Sequence, residues 1–152
     1  MAVELTIDDG IAVGRPLVTR LRRQLARMVK AAALAEGRKD LEVAVRLCDD
    51  AAIRELNRDY RGKNKPTDVL AFAQREAATA DAALLGDIVI SIDTAKRQAK
   101  RGLPAELMHL AAHGLCHLLG YDHRDDDEER EMNTRAAALR REAARSGRVR
   151  AA

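Results

Sequence analysis

Three of this chain's four histidines fall within eleven residues, His113-Gly-Leu-Cys-His117-Leu-Leu-Gly120-Tyr-Asp-His123. That spacing restricts the local fold severely. His113 and His117 are four apart, so on a helix advancing about 100° per residue they differ by only about 40° and face one way. Gly120 is the residue type that ends a helix in the left-handed conformation and lets the chain turn back. His123, three residues further on, then returns toward the same point. The stretch predicts a helix end that gathers three imidazoles into a tridentate metal site. Its fourth position stays open, which separates catalytic from structural zinc.

A lone histidine beside an apolar helix is ordinarily a packed or surface residue. Here none occurs in the first 108 residues, and His109, His113, His117 and His123 then fall within fifteen. Clustering, helical spacing and a glycine stop together favour metal ligation. His109 lies one turn before His113 and is read as packing or as support behind the ligands, because a fourth imidazole would close the site. Cys116 is near the same face and is read as a leucine-like packing residue rather than a ligand. Asp122, beside His123, either orients an imidazole by a hydrogen bond or caps the following turn.

The string overlays the long zinc-protease motif H-E-x-x-H-x-x-G-x-x-H except at one position. Gly114 stands where a protease carries the glutamate that takes a proton from zinc-bound water. A metal here can still lower the pKa of water toward about 7, but no carboxylate at that position passes the proton to a leaving amine. Peptide hydrolysis is demoted on that ground.

At 152 residues the chain is expected to be one domain, 1–152, with a single core. Its aromatics are only Tyr60, Phe72 and Tyr121, so that core must be aliphatic and alanine-rich. No basic region followed by an apolar run opens the sequence, so no secretion signal is expected. Nowhere are there eighteen consecutive apolar residues, which argues against a membrane span. Cys48 and Cys116, in apolar contexts, read as reduced thiols of a cytoplasmic protein.

Net charge is +3, unevenly spread. Arginines and Lys30 crowd the first helical segment, and six arginines from Arg135 to Arg150 load the C-terminus. An acidic run, Asp125 to Glu129, opposes them. Solvated helix faces account for the terminal runs. The central loop differs, because Arg58, Arg61, Lys63 and Lys65 flank Gly62 and Pro66 and can approach a phosphate backbone. Nucleic acid is favoured over membrane, since no segment joins this charge to a bulky apolar face.

The coarse element order is α/β. Val3 to Ile7 alternates as a strand, and Leu17 to Ala35 is an amphipathic helix that Gly37 terminates. Leu41 to Leu47 is the clearest strand. Asp49 or Asp50 caps a helix running to about Asp59, and the loop Tyr60 to Thr67 leads into a strand Asp68 to Ala73. After a polar, alanine-rich connection, Leu85 to Ser91 is a fourth strand. Asp93 is expected to cap a helix ending at Gly102. Pro104 opens the helix that carries the histidines, and Asp126 to Arg145 is the last.

These residues resemble the YbeY family of small bacterial metal-dependent endoribonucleases. The likeness is carried, in order, by Leu56-Asn-Arg-Asp-Tyr-Arg-Gly-Lys63, Lys65-Pro-Thr-Asp-Val-Leu70, Leu85-Gly-Asp-Ile-Val-Ile90 and the string from His113 to His123. It extends from about Leu41 onward. Asn64, Ala71, Ala73 and Cys116 stand where the family usually has aspartate, serine, proline and leucine.

The resemblance implies a mixed four-stranded sheet packed with about five or six helices, an α/β (α+β) fold with the three-histidine site at the end of a helix. It implies one zinc ion per chain on His113, His117 and His123, with Arg61 as the catalytic arginine beside the cleft. Arg61 would stabilise charge on the pentavalent phosphorus, where a guanidinium matches two oxygens at once. Lys63 and Lys65 would contact RNA. Either water or the substrate's 2'-hydroxyl is the attacking group. The implied substrate is single-stranded rRNA precursor, in late processing of the small-subunit 3' end and ribosome quality control. The implied partners are the small ribosomal subunit or its assembly factors, with the protein a cytoplasmic monomer. Two other classes fit some of the residues. One is a metal-dependent hydrolase of peptides or small molecules, and the other a non-catalytic ribosome-assembly factor with a structural metal.

Overall fold

The computed structural model describes residues 2–74 and 83–152. Nine elements follow in the expected order: β1 (Val3–Ile7), α1 (Arg15–Ala35), β2 (Glu42–Cys48), α2 (Asp50–Arg61), β3 (Val69–Ala73), β4 (Leu84–Ser91), α3 (Ile92–Gln98), α4 (Leu103–Leu118) and α5 (Asp126–Ala144). Most of the polar connection between β3 and β4 lies outside the described residues. The four strands form one mixed sheet in the order β1-β2-β4-β3. β1, β2 and β4 run parallel, and β3 is antiparallel to β4 at an edge. With five helices among the described residues, this is the mixed α/β architecture expected.

Side-chain alternation along the strands decides what covers each face. Val43, Val45 and Leu47 of β2 and Ile88 and Ile90 of β4 join the main core with α1, α4 and α5. Cys48, Leu70 and Val89 point the other way and meet Ile53 of α2 in a smaller cluster. The expectation of a core without aromatics holds among the described residues. Ala31, Ala32, Ala95, Ala111 and Ala112 are at most 1% exposed and let helices approach closely. No helix among the described residues is long and apolar enough to cross a membrane.

Two helices, α3 and α2, have boundaries that differ from the sequence reading. Ser91, not Asp93, caps α3, its hydroxyl accepting the Thr94 N–H at 3.3 Å. Asp93 instead accepts the Asp50 N–H at 3.0 Å, joining α3 to α2. The helix also stops at Gln98 rather than Gly102, which serves as the N-cap of α4. Second, α2 continues past Asp59 through Tyr60 and Arg61, ending at Gly62 in the left-handed region with φ of 70°. Tyr60 and Arg61 are thus presented by a helix end rather than by a loop.

The charge runs have local explanations. Asp125 caps α5 by accepting the Glu128 N–H at 2.8 Å, and the four acids after it occupy the first turn, where the helix dipole favours negative charge. At the other end Glu142 is 6% exposed and held by Arg145 at 3.0 Å and Arg150 at 3.1 Å. Those arginines and the Arg150 N–H pull the Glu142 carboxyl down to about 2. Arg27 of α1 donates to the Glu142 and Gly147 carbonyls at 3.1 and 2.7 Å. Several terminal arginines are thus committed to fastening the tail.

Candidate metal centre

Helix α4 faces the sheet with Leu107, Leu110, Ala111, Gly114, Leu115 and Leu118, all buried. His113 and His117 lie on its half-buried flank. The helix closes in a Schellman turn, with Gly120 N–H on the His117 carbonyl at 3.0 Å and Tyr121 N–H on the Cys116 carbonyl at 3.0 Å. Gly120 has φ of 99°, where a side chain would be strained. The reversal brings the exposed His123 back over the helix end, with ring centroids 6.2 Å from His113 and 5.3 Å from His117. One nitrogen from each of the three rings lies within 4.8 Å of the others. Small side-chain rotations close that spread around a single ion, and three imidazoles are a zinc-type donor set, so these residues fit a metal.

Burial first, and then the neighbouring imidazoles, hold His113 below the ordinary histidine range. His117 is lowered by burial and then by His123, while Asp122 and a hydrogen bond to the Tyr121 backbone act in the opposite sense. Both rings therefore favour the neutral form, which is the form that ligates.

The missing protease glutamate has a packing reason. A Cβ added to Gly114 would lie 2.8 Å from Cγ2 and 3.2 Å from Cγ1 of Ile88. Ile88 is β-branched, 2% exposed and fixed in the central part of the sheet, so it cannot swing aside. Helix propensity alone favours Gly114→Ala by about 1 kcal/mol, against roughly 1–3 kcal/mol for overpacking. We expect a net loss of stability, larger for Gly114→Glu, which also presses a carboxylate on apolar surface. Thermal unfolding checks this, and a raised midpoint for Gly114→Ala would show that α4 can back away from β4. Neither variant should gain peptidase activity.

The three imidazoles sit in a cleft of about 680 Å³ that runs along the edge strand β3. One wall is α4 with His109, Leu110, His113 and His117, and the other is the end of α2 with Tyr60 and Arg61. Thr67 to Phe72 form the floor. Arg61 is exposed and acts electrostatically on His117, so the structure brings it to the histidines. His109 is exposed on the wall rather than packed, and lies outside the three-ring cluster. Asp122 spends one oxygen on the His123 N–H at 2.8 Å and the other on Arg124 at 3.3 Å, the turn-capping alternative. Cys116 is fully buried with its thiol pushed up to about 11 by burial, a packing residue.

Lys63 and Lys65 are exposed on the loop beside the cleft, outside its lining. Asn57, 1% exposed, donates from its side chain to the Lys65 carbonyl at 2.8 Å and accepts the Lys63 N–H on its backbone at 3.2 Å. Asn64 accepts from Arg54 at 2.9 Å. The loop is thereby tied back to α2. Sequence reasoning missed three contributors to the site. Tyr60 and Phe72 are in the lining, and so is Asp68, whose carboxylate accepts the Val69 N–H at 2.8 Å and faces His113 electrostatically. The signal for Tyr60 was its place one residue before Arg61. Asp68 carried none beyond the resemblance.

A mixed-sheet α/β protein with three imidazoles at a helix end, opening into a cleft with an arginine opposite, is the class that fold and site define. Residues 15–144 match the family described as Endoribonuclease YbeY. An "Endoribonuclease YbeY" of Moorella thermoacetica is 46% identical over 136 residues, covering 82% of this chain and 87% of that one. Its counterpart from Anaeromyxobacter dehalogenans is 44% identical over 146 residues, covering 93% and 71%. A solution structure from Thermotoga maritima superposes with a TM-score of 0.60 at 28% identity, over 93% of this chain and 88% of that one. The chain belongs to the endoribonuclease YbeY family.

Proposed function

We propose that this protein is a single-domain, metal-dependent endoribonuclease that cuts single-stranded rRNA precursor. Its place is late maturation of the small-subunit 3' end and ribosome quality control, alongside the small subunit or its assembly factors. The observation that carries this reading is the meeting of His113, His117 and His123 with Arg61 in one open cleft. The protein acts as a cytoplasmic monomer with one zinc ion. That ion, when bound, supplies Lewis acidity toward a phosphoryl oxygen and lowers the pKa of water.

The rest of the chemistry belongs to the chain. The imidazoles of His113, His117 and His123 would hold the ion at the side of the cleft. Arg61 reaches in from the end of α2 and offers a planar fork of donors, matched to two phosphate oxygens as charge builds on phosphorus. His109 and Asp122 stand around the ligands, Asp122 by pinning the His123 backbone. The edge strand β3 gives the floor a rigid backbone against which a strand of RNA can lie.

The reading is tested by metal analysis of the purified protein, followed by incubation with labelled single-stranded RNA and with casein, each with and without chelator. RNA cleavage that chelator abolishes and zinc restores is the expected result. Binding without cleavage would select the assembly-factor reading instead, and casein cleavage the peptidase.

Lys63 and Lys65 are assigned to the phosphate track. The double variant Lys63→Ala, Lys65→Ala should weaken RNA binding and flatten its dependence on salt. Losing two phosphate contacts to a single strand lowers the log–log slope by about 1.4. An unchanged slope would remove the loop from the RNA path.

A further inference from the structure

Only three aromatic residues occur in the chain, Tyr60, Phe72 and Tyr121, and two of them line the metal cleft. Tyr60 is 69% exposed, far more than a large ring left only to fill space. Its ring lies 5.1 Å from that of Phe72 at an interplanar angle of 64°. Phe72 is anchored below, against the cluster of Cys48, Ile53, Leu70 and Val89. An edge-to-face contact engages at most one face of a ring, so Phe72 steadies the phenol without covering it. A Tyr60 whose task was to shield Phe72 would itself be buried. The Tyr60 hydroxyl makes no hydrogen bond among the described residues, so the ring is the part of the side chain placed for use.

We propose that Tyr60, braced by Phe72, is a stacking platform for one unpaired nucleobase beside the phosphate that the site attacks. The ligand's identity as RNA rests on the endoribonuclease reading above. Position supports the platform: Tyr60 is adjacent to Arg61 on the last turn of α2, and both face the cleft that holds the three imidazoles. Charge supports it as well, because Arg61, Lys63 and Lys65 follow Tyr60 within five residues, are exposed and make no ion pair among the described residues. A basic track interleaved with an aromatic is the arrangement that holds single strands by phosphate and base together. Bases inside a duplex are stacked on both sides and cannot offer a face. The platform therefore gives the cleft a preference for unpaired RNA while tolerating any base.

The chain has no tryptophan, so Tyr60→Trp installs a sole indole at the platform. The zinc-loaded variant is titrated with a labelled single-stranded RNA, its duplex, and an oligomer of the same length with the bases removed. We expect the single strand to quench the indole, and the duplex and abasic oligomer to leave it bright. In parallel, Tyr60→Ala should bind single-stranded RNA roughly 5- to 150-fold more weakly, the range for loss of one base–aromatic stack. Its affinity for the abasic oligomer and its zinc content should not change. Tyr60→Phe should bind as the wild type does, since the ring and not the hydroxyl stacks. An indole that stays bright while labelled RNA is bound would overturn the proposal, as would equal weakening of Tyr60→Ala toward normal and abasic oligomers. RNA that fails to bind at all overturns it together with the nuclease reading. Quenching in a protein that cuts no RNA sinks the nuclease reading alone and leaves the platform standing.

Discussion

Alanine in place of His113, His117 or His123 should reduce RNA cleavage to the level of chelator-treated wild type. Each variant retains two imidazoles, and two rarely hold zinc against competing chelators. Removing a group that only orients a ligand already costs about 10–100-fold in affinity, so loss of a ligand should exceed that. Metal analysis after dialysis against a weak chelator reads the effect directly. A second readout is stability, because a metal that binds only the folded state adds about 2.7 kcal/mol at a hundred times its dissociation constant. The wild type should gain that stabilisation on zinc addition, and the three variants should lose most of it. His123 is the exposed member of the set and sits on a loop, so its removal leaves the helix and core undisturbed. That variant separates metal loss from misfolding. His109→Ala is the control, since His109 lies outside the cluster. Equal metal loss there would redraw the site.

What was legible in the sequence depended on how local its physics was. The histidine triad was legible because i, i+4 spacing and a left-handed glycine act within three turns of chain, and the Schellman turn at Gly120 is their direct result. β2 was legible for the same reason, its alternation being a local pattern that the buried Val43, Val45 and Leu47 repay. The cap of α3 was not. Ser91, Thr94 and Asp93 are all competent to cap, and the choice fell to Asp50, 41 residues from Ser91, whose carboxylate accepts the Ser91 and Thr94 hydroxyls at 2.6 and 2.7 Å. With Asp93 drawn to the Asp50 N–H, Ser91 was left to cap the helix. The extension of α2 through Arg61 was likewise hidden, because Gly62 ends a helix as readily as it opens a loop. Strand order depends on contacts between distant segments and was not legible; the resemblance implied only a mixed, four-stranded sheet, and the order β1-β2-β4-β3 belongs to the structure. The packing of Gly114 on Ile88 is another long-range fact, and it turns a missing protease residue into a requirement of the fold.

Arg61→Ala should keep the fold and the zinc while the rate of cleavage at saturating RNA falls by about 10²–10³, the usual cost of losing one electrostatic contact made to the transition state. The fold should survive because Arg61 is exposed at the end of α2 and makes no ion pair among the described residues. The helix end does not depend on it either, since Gly62 closes that end by its own backbone bond to the Arg58 carbonyl at 3.1 Å. Zinc content should hold or rise slightly, because the guanidinium disfavours positive charge at His117 and its removal takes a cation away from a cation site. Arg61→Lys should recover only part of the rate, since an ammonium lacks the planar two-pronged match to phosphate oxygens. The division between rate and affinity decides the role. An arginine that only binds substrate would raise the RNA concentration needed and spare the saturated rate. One that meets charge developing on phosphorus lowers the saturated rate itself. Arg61→Ala protein that cleaves at the wild-type rate under saturating RNA would place this arginine with Lys63 and Lys65, on the phosphate track and outside the chemistry.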